Sequence, residues 1–423
     1  MQNSQTGRQS NAIALSALTT LFFVWGFITS LNDILIPHLK AVFTLSYQQA
    51  MLVQFCFFAA YFIVSVPSGY LLEKIDYKGG IIVGLVMAGI GCLLFYPAAA
   101  EQSYPLFLSA FFVLASGITL LQVAANPYVT VLGEPQSASS RLTLTQAFNS
   151  LGTTLAPYLG SLFILNHAVK TIADRQLLNN EELTVYQAAQ AASVQEPYLF
   201  LASVLFLMAA VFAFLKLPKI LNNRPSEEGI EISNESAWRY PHLVLGAVAI
   251  FVYVGGEVSI GSFLVNFLGL KSIAGLTAQD AGKYVSFYWG GAMVGRFAGA
   301  VIMQKIRPDY VLVVNALCAG ALVILTIFSS GQLAMWAILA VGFFNSIMFP
   351  TIFSLALTGL GRHTGQGSGI LCAAIVGGAI LPVIQGSLAD QLGLQNAFIV
   401  PVFCYGYIAY YAWRCRKLMA GVL

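Results

Sequence analysis

Two carboxylates stand out in this chain because of what surrounds them. Asp33 sits in "TSLNDILIP", at the end of an apolar run that begins near Ile13, and Glu257 sits in "YVGGEVSIGSFLVNF". An ionisable group at membrane depth costs kilocalories unless it is paired or hydrated, so each reads as functional. On a helix Ser30 and Thr29 share the face of Asp33, three and four residues back, with Trp25 about two turns away. A carboxylate beside hydroxyls and an indole suits a hydroxylated ligand: the acid accepts hydrogen bonds from OH groups while the indole covers an apolar face. A structural acid bonded to the backbone of a neighbouring helix is the plainer alternative.

Uncharged amides supply the second chemical theme. In "LLQVAANPYVTVLG", Gln122 and Asn126 are four residues apart and share a helical face, and Pro127 removes a helix hydrogen bond and is expected to bend the segment. Asn345 stands five residues before Pro350 as Gln122 does before Pro127, and Phe349 lies beside that proline. "SSRLTLTQAFNSLG" places Gln146 and Asn149 three apart on one face. Amides offer donors and acceptors without charge, which fits neutral polyols; helix-packing glue is the alternative for Gln146 and Asn149. Phe287, Tyr288, Trp289 and Phe349 are candidate aromatic walls.

Other chemistries find no residues to carry them. The six cysteines show no metal spacing and fall in or beside apolar runs, and the four histidines are dispersed, so no transition-metal site is expected. No GxxxxGK[ST] loop occurs, which argues against direct ATP coupling, and no nucleophile–base constellation points to an enzyme. A net charge of +3, scattered along the chain, excludes nucleic acid as a partner. The first residues carry no cleavage site after a short apolar core, so the first span is expected to be retained.

The elements that must position these groups follow from composition. The chain is 58% hydrophobic and 9% charged, with a mean hydropathy of +0.78, whereas soluble domains carry about 25% charged residues. Apolar runs long enough to span hydrocarbon as helices recur throughout, and their continuity excludes an alternating β-barrel. An all-α polytopic membrane protein of twelve transmembrane helices is expected. Its first six spans lie near 13–37, 47–73, 80–99, 105–132, 143–166 and 196–217. The second six lie near 240–268, 281–304, 310–329, 333–359, 367–389 and 395–415. Two six-helix bundles, 1–217 and 240–423, are joined by a polar cytoplasmic linker at 218–239, and 167–195 forms an outside loop. With both termini inside, 14 Lys and Arg fall in the cytoplasm and 5 outside, with Arg296 within a span.

The two halves are also related to each other. Residues 45–77 align without gaps to 276–308, keeping Leu, Gln and Ala at the start and Lys-Ile at the end. "NPYVTVL" matches "FPTIFSL", and pairing Gly152 with Gly377 sets Leu371 and Ala374 opposite Gln146 and Asn149. The first half therefore supplies most of the amides. Parallel repeats about an axis along the membrane normal place the substrate between the halves near mid-membrane.

This architecture resembles the major facilitator fold, and "SGYLLEKIDYKGG" and "GRFAGAVIMQKIRP" look like degenerate copies of that superfamily's Gly/Asp/Arg loop. Lys74 and Lys78 are either positive-inside anchors or part of an inter-helix gate contact. "FFVWGFITSLNDILIPHL", "QVAANPYVTVLG", "RLTLTQAFNSLG" and "FPTIFSLALTGLG" resemble, more specifically, the fucose/galactose/glucose symporter family. That resemblance implies a sugar- and proton-binding role for Asp33, sugar ligation by Gln146 and Asn149, and an indole contact from Trp25. Two positions depart from the fucose-permease branch: Gln122 stands where that branch has Glu, and Ser30 where it has Asn. The Glu257 stretch looks more like the glucose/galactose branch, some of whose members are described as sodium-coupled.

The resulting expectation is an inner-membrane symporter, multi-pass with both termini cytoplasmic, that carries a glucose- or galactose-type hexose inward by alternating access. Its substrate contacts are Trp25, Asp33, Gln122, Asn126, Gln146, Asn149, Asn345 and Phe349. The coupling ion is expected to be Na+, bound by Asp33, Gln122 or Glu257, with H+ as the alternative, because an uncharged Gln carries no proton while its carbonyl can ligate Na+. No other cofactor and no obligate protein partner is expected beside the sugar and the lipid bilayer. A proton-coupled efflux protein for apolar drugs is the less favoured reading, since the amides argue for a polar solute.

Overall fold

In the computed structural model the described residues are 12–30, 47–163, 194–215 and 236–419, with 179, 181–182, 185–186, 188–189 and 217–218. Asp33, Asn32 and most of the 167–195 segment and of the linker lie outside them. Every regular element among the described residues is helical. In hydrocarbon a backbone must satisfy its own hydrogen bonds, and an α-helix does so within one segment.

The elements are α1 (Ala12–Ser30), α2 (Tyr47–Ala100), α3 (Tyr104–Val131), α4 (Ala138–Phe163) and α5 (Gln195–Phe214) in the first half. The second half holds α6 (Pro241–Leu268), α7 (Ala278–Ile302), α8 (Pro308–Phe328), α9 (Gly331–Asn345), α10 (Met348–Leu357), α11 (Thr364–Ala373), α12 (Gly377–Leu392) and α13 (Ile399–Met419). Eight helical stretches among the described residues are long and apolar enough to cross a membrane. One of them, Phe55–Ala100, is 46 residues long and joins two helices across a kink at Asp76 (φ 63°), so it covers two of the expected spans. The more polar α4, α7 and α13 complete the twelve expected spans. Span ten is divided into α9 and α10, and span eleven into α11 and α12, details that hydropathy does not carry.

The internal repeat is visible in the element boundaries. α2 starts at Tyr47 and α7 at Ala278, paired positions of the gapless alignment. Asp76, where α2 is kinked, aligns with Arg307, the residue before α8. α3 runs without interruption through Pro127 to Val131. Large apolar side chains such as Phe62, Phe200, Phe214, Phe328 and Phe403 are exposed, as outward faces in lipid require.

The chain divides into two compact units. One holds Ser16–Ala125 and Phe148–Leu217; the other holds Asn126–Ala147 and Pro218–Leu423, with the chain start up to Leu15. Within the first, Lys78 donates to the Ala213 carbonyl at the end of α5 (2.8 Å), a cation set where the helix dipole is negative. Within the second, the turn from α3 to α4 is bonded to C-terminal helices. Ser139 and Ser354 share a hydroxyl hydrogen bond of 2.6 Å, and Ser140 donates to the Ala300 carbonyl at 2.6 Å.

Candidate functional site

The expected residues of the first half are set by a close approach of α1 and α4. A Cβ on Gly26 would overlap the Asn149 carbonyl, and one on Gly152 would overlap the Phe23 carbonyl, so only glycine lets these backbones touch. The contact brings side chains onto backbone. Asn149 Nδ2 donates to the Phe22 carbonyl (2.9 Å) and the Ser30 hydroxyl to the Thr153 carbonyl (3.0 Å). Thr29 bonds within its own helix, to the Trp25 and Gly26 carbonyls. Asn149 thus ties α4 to α1 through one of its amide N–H groups. Trp25 is nearly enclosed and packs on Phe22, ring centroids 5.2 Å apart.

Gln122, Asn126 and Gln146 are all buried, as their shared helical faces suggest. Asn126 is the extreme case: its side chain is wholly buried and neither its nitrogen nor its oxygen has a hydrogen-bond partner among the described residues. Leaving a buried polar group unpaired costs about 1–3 kcal/mol. A side chain that bears this penalty in both its donor and its acceptor is suited to a partner from outside the chain.

The C-terminal half holds a denser cluster, on α6, α7 and α9. The Tyr253 hydroxyl donates to Glu257 Oε1 at 2.7 Å and lies 3.2 Å from the Asn345 carbonyl. Asn345 Nδ2 donates to the Tyr288 hydroxyl at 2.8 Å. Glycine again makes this possible, because a Cβ on Gly342 would overlap the Tyr288 carbonyl and hold α9 away from α7. Tyr253, Tyr288, Asn345 and Tyr405 are fully enclosed, whereas Glu257 is half-buried. Phe349 packs toward Tyr253, ring centroids 6.4 Å apart. Of the three neighbouring aromatics in α7 only Tyr288 faces inward; Phe287 and Trp289 are exposed on the outer face.

The break in span ten has a local cause. Pro350 has no N–H, so the Ser346 carbonyl lacks its helical donor, and Arg296 Nε supplies one at 3.1 Å. Gly295 permits this, since a Cβ there would overlap Ser346 and the Phe343 carbonyl. Tyr253 and Arg296 are absent from the expected site residues, although Arg296 is the one basic residue expected within a span. For Tyr253 a signal existed, because it lies four residues before Glu257 and so shares its face.

One cavity, of about 240 Å³, opens at the ends of α4, α7, α8 and α13 and is bordered by Ser139, Lys305, Arg307, Asp309, Ser354 and Arg416. None of the expected site residues lines it.

Comparison with known proteins places these observations in a family context. The sequence model described as Major Facilitator Superfamily matches residues 17–374. A glucose/galactose transporter of Brucella abortus is 57% identical over 410 residues, covering 97% of this chain and 96% of that protein. The L-fucose-proton symporter of Escherichia coli is 35% identical over 411 residues, 96% of this chain and 93% of that one. A crystal structure of the Escherichia coli fucose:proton symporter matches with a TM-score of 0.89 at 34% identity, covering 96% of this chain and 99% of its own.

Proposed function

We propose that this chain, which belongs to the Major Facilitator Superfamily, carries a hexose of the glucose/galactose type into the cell by cation-coupled symport with alternating access. The observation that carries the reading is Asn126, a buried amide with no hydrogen-bond partner among the described residues, in line with Gln122 one turn away on α3. A neutral polyol offers both the donor and the acceptor that Asn126 lacks; an apolar drug offers neither. The 57% identity to a glucose/galactose transporter supports a hexose over other polyols.

In this reading Gln122, Asn126, Gln146 and Asn149 meet sugar hydroxyls from the first half. Trp25 is a further contact from the first half, Asn345 and Phe349 are contacts from the second, and Asp33 accepts from a hydroxyl and takes part in coupling. The protein resides in a bacterial inner membrane with both termini cytoplasmic, on the strength of the 14-to-5 division of Lys and Arg. The coupling ion is a proton, the ion named for the fucose symporter at 35% identity, with Asp33 and Glu257 as the groups able to bind it. Sodium, expected from Gln122, is the second reading; the amide that replaces a carboxylate in α3 is what favours it.

Uptake into proteoliposomes decides both points. Labelled glucose and galactose are expected to accumulate under an imposed pH gradient in sodium-free buffer, and Asp33→Asn is expected to abolish the accumulation. Concentrative uptake that appears only with a sodium gradient would overturn the proton reading. Absence of hexose uptake under either gradient would overturn the substrate class.

A further inference from the structure

We infer that Tyr253 is a positioning residue that links Glu257 to the break in span ten. Its single hydroxyl proton stays with the carboxylate while Glu257 is ionised and turns to the Asn345 carbonyl when Glu257 is neutralised. The inference rests on the proposed role of Glu257 in coupling.

A phenol has one proton to give, and here two acceptors stand within its reach, Glu257 Oε1 at 2.7 Å and the Asn345 carbonyl at 3.2 Å. A hydrogen bond to an ionised acceptor is roughly twice as strong as one to a neutral acceptor, so the carboxylate wins while it is charged. Protonation of Glu257, or a cation bound to it, removes that advantage and leaves two neutral acceptors. The shift needs only rotation about the C–O bond of Tyr253; no covalent bond is made or broken.

The second acceptor is the reason the shift has consequences. Asn345 and Ser346 carry successive carbonyls at the point where span ten is interrupted between α9 and α10. Pro350 withholds the helical donor from Ser346, which Arg296 of α7 replaces, and Tyr253 of α6 is the side-chain donor at Asn345. The Arg296 bond is permanent, because a guanidinium stays protonated at every accessible pH. The Tyr253 bond is conditional on Glu257. Two adjacent carbonyls are therefore held by two other helices, and only one of these ties responds to charge.

The groups around the pair are few. From α7 come Arg296, whose charge acts on the Glu257 carboxyl, and Tyr288; from α13 come Tyr405 and, against Gly256, Cys404. α9 contributes the neutral Asn345 and α10 the Phe349 ring. α12 meets α6 here through Leu381 against Gly255, and α11 through Gly367 near Leu243, about four turns from Glu257. Among the described residues that face it, Glu257 is thus the acid whose charge the Tyr253 hydroxyl senses.

Hydrogen exchange of the full-length protein in lipid nanodiscs, without sugar or gradient, tests this on the peptide covering 345–352. Protection is followed across about pH 4 to pH 9 and corrected for intrinsic rates. In the wild type it is expected to be higher at acid pH by roughly five- to tenfold, the equivalent of one hydrogen bond. Glu257→Gln should hold the high level at every pH, Tyr253→Phe the low level, and the double variant should match Tyr253→Phe. A wild-type pH response in Tyr253→Phe, or a surviving response in Glu257→Gln, would overturn the inference. Should Tyr253→Phe fail to fold, the Glu257→Gln arm decides alone: a constant high level supports the inference and a surviving pH response overturns it. Because no sugar enters the measurement, its failure and a failure of hexose transport are separate results.

Discussion

At the scale of single residues, Asn126 and Asn149 show how the same side chain can serve two purposes. Both were legible in sequence as amides on interior faces, because three- and four-residue spacings fix a helical face. Spacing does not say what stands opposite. For Asn149 it is the Phe22 carbonyl, brought near by Gly26 and Gly152; for Asn126 it is no hydrogen-bonding group among the described residues. Replacing Asn126 with Leu, similar in size, should therefore act in opposite directions on stability and binding. Relief of a buried unpaired amide is expected to raise stability by about 1–3 kcal/mol. Loss of its bonds to sugar should weaken hexose affinity at least about tenfold, since one polar contact left unmade is worth that much. Thermal unfolding and calorimetric sugar titration on one preparation read both; unchanged affinity would remove Asn126 from the site.

At the scale of elements, the two halves repeat one packing device. Gly152 of α4 lies against the Phe23 carbonyl of α1, and Gly377 at the start of α12 lies against the Phe251 carbonyl of α6. Each glycine thus meets the first helix of its own half, as the sequence pairing of Gly152 with Gly377 implies. Without a hydrophobic drive between helices in lipid, such close backbone approaches carry much of the association. Gly152→Ala and Gly377→Ala should each destabilise by about 1–3 kcal/mol, the usual penalty of overpacking. Gly290→Ala and Gly406→Ala, where an added Cβ meets no atom within 4 Å, should be neutral or stabilising by up to about 1 kcal/mol. Folded yield and thermal midpoint in detergent distinguish the two pairs. Equal effects at all four positions would mean that the close contacts are not what holds these helices together.

At the scale of the whole molecule, composition and charge set the architecture class while side-chain contacts define the working surfaces. The turn from α3 to α4 shares a unit with the C-terminal helices through Ser139–Ser354 and Ser140–Ala300. The proposed cycle requires that turn to part from α10 whenever the cytoplasmic side opens. In a background with the six native cysteines replaced, Ser139→Cys with Ser354→Cys should cross-link on oxidation. Hexose uptake should then fall to background and return on reduction. Full transport by the oxidised protein would show that this end of the molecule does not open during the cycle.

The sequence by itself determined that the chain is a twelve-span helical membrane protein built from two related halves, because hydropathy, charge bias and the repeat are properties of residue order alone. It also determined that the amides Gln122, Asn126, Gln146 and Asn345 lie inside, since a helix converts spacing into a face. Only the tertiary structure decided what those groups touch. It revealed that span ten is broken at a point served by Arg296 and Tyr253, and that Asn149 bonds to backbone while Asn126 has no partner among the described residues. The physical reason is that a hydrogen-bond partner from another helix is set by interhelical distance. That distance depends on where glycines let two backbones meet, and no periodicity along one helix records it.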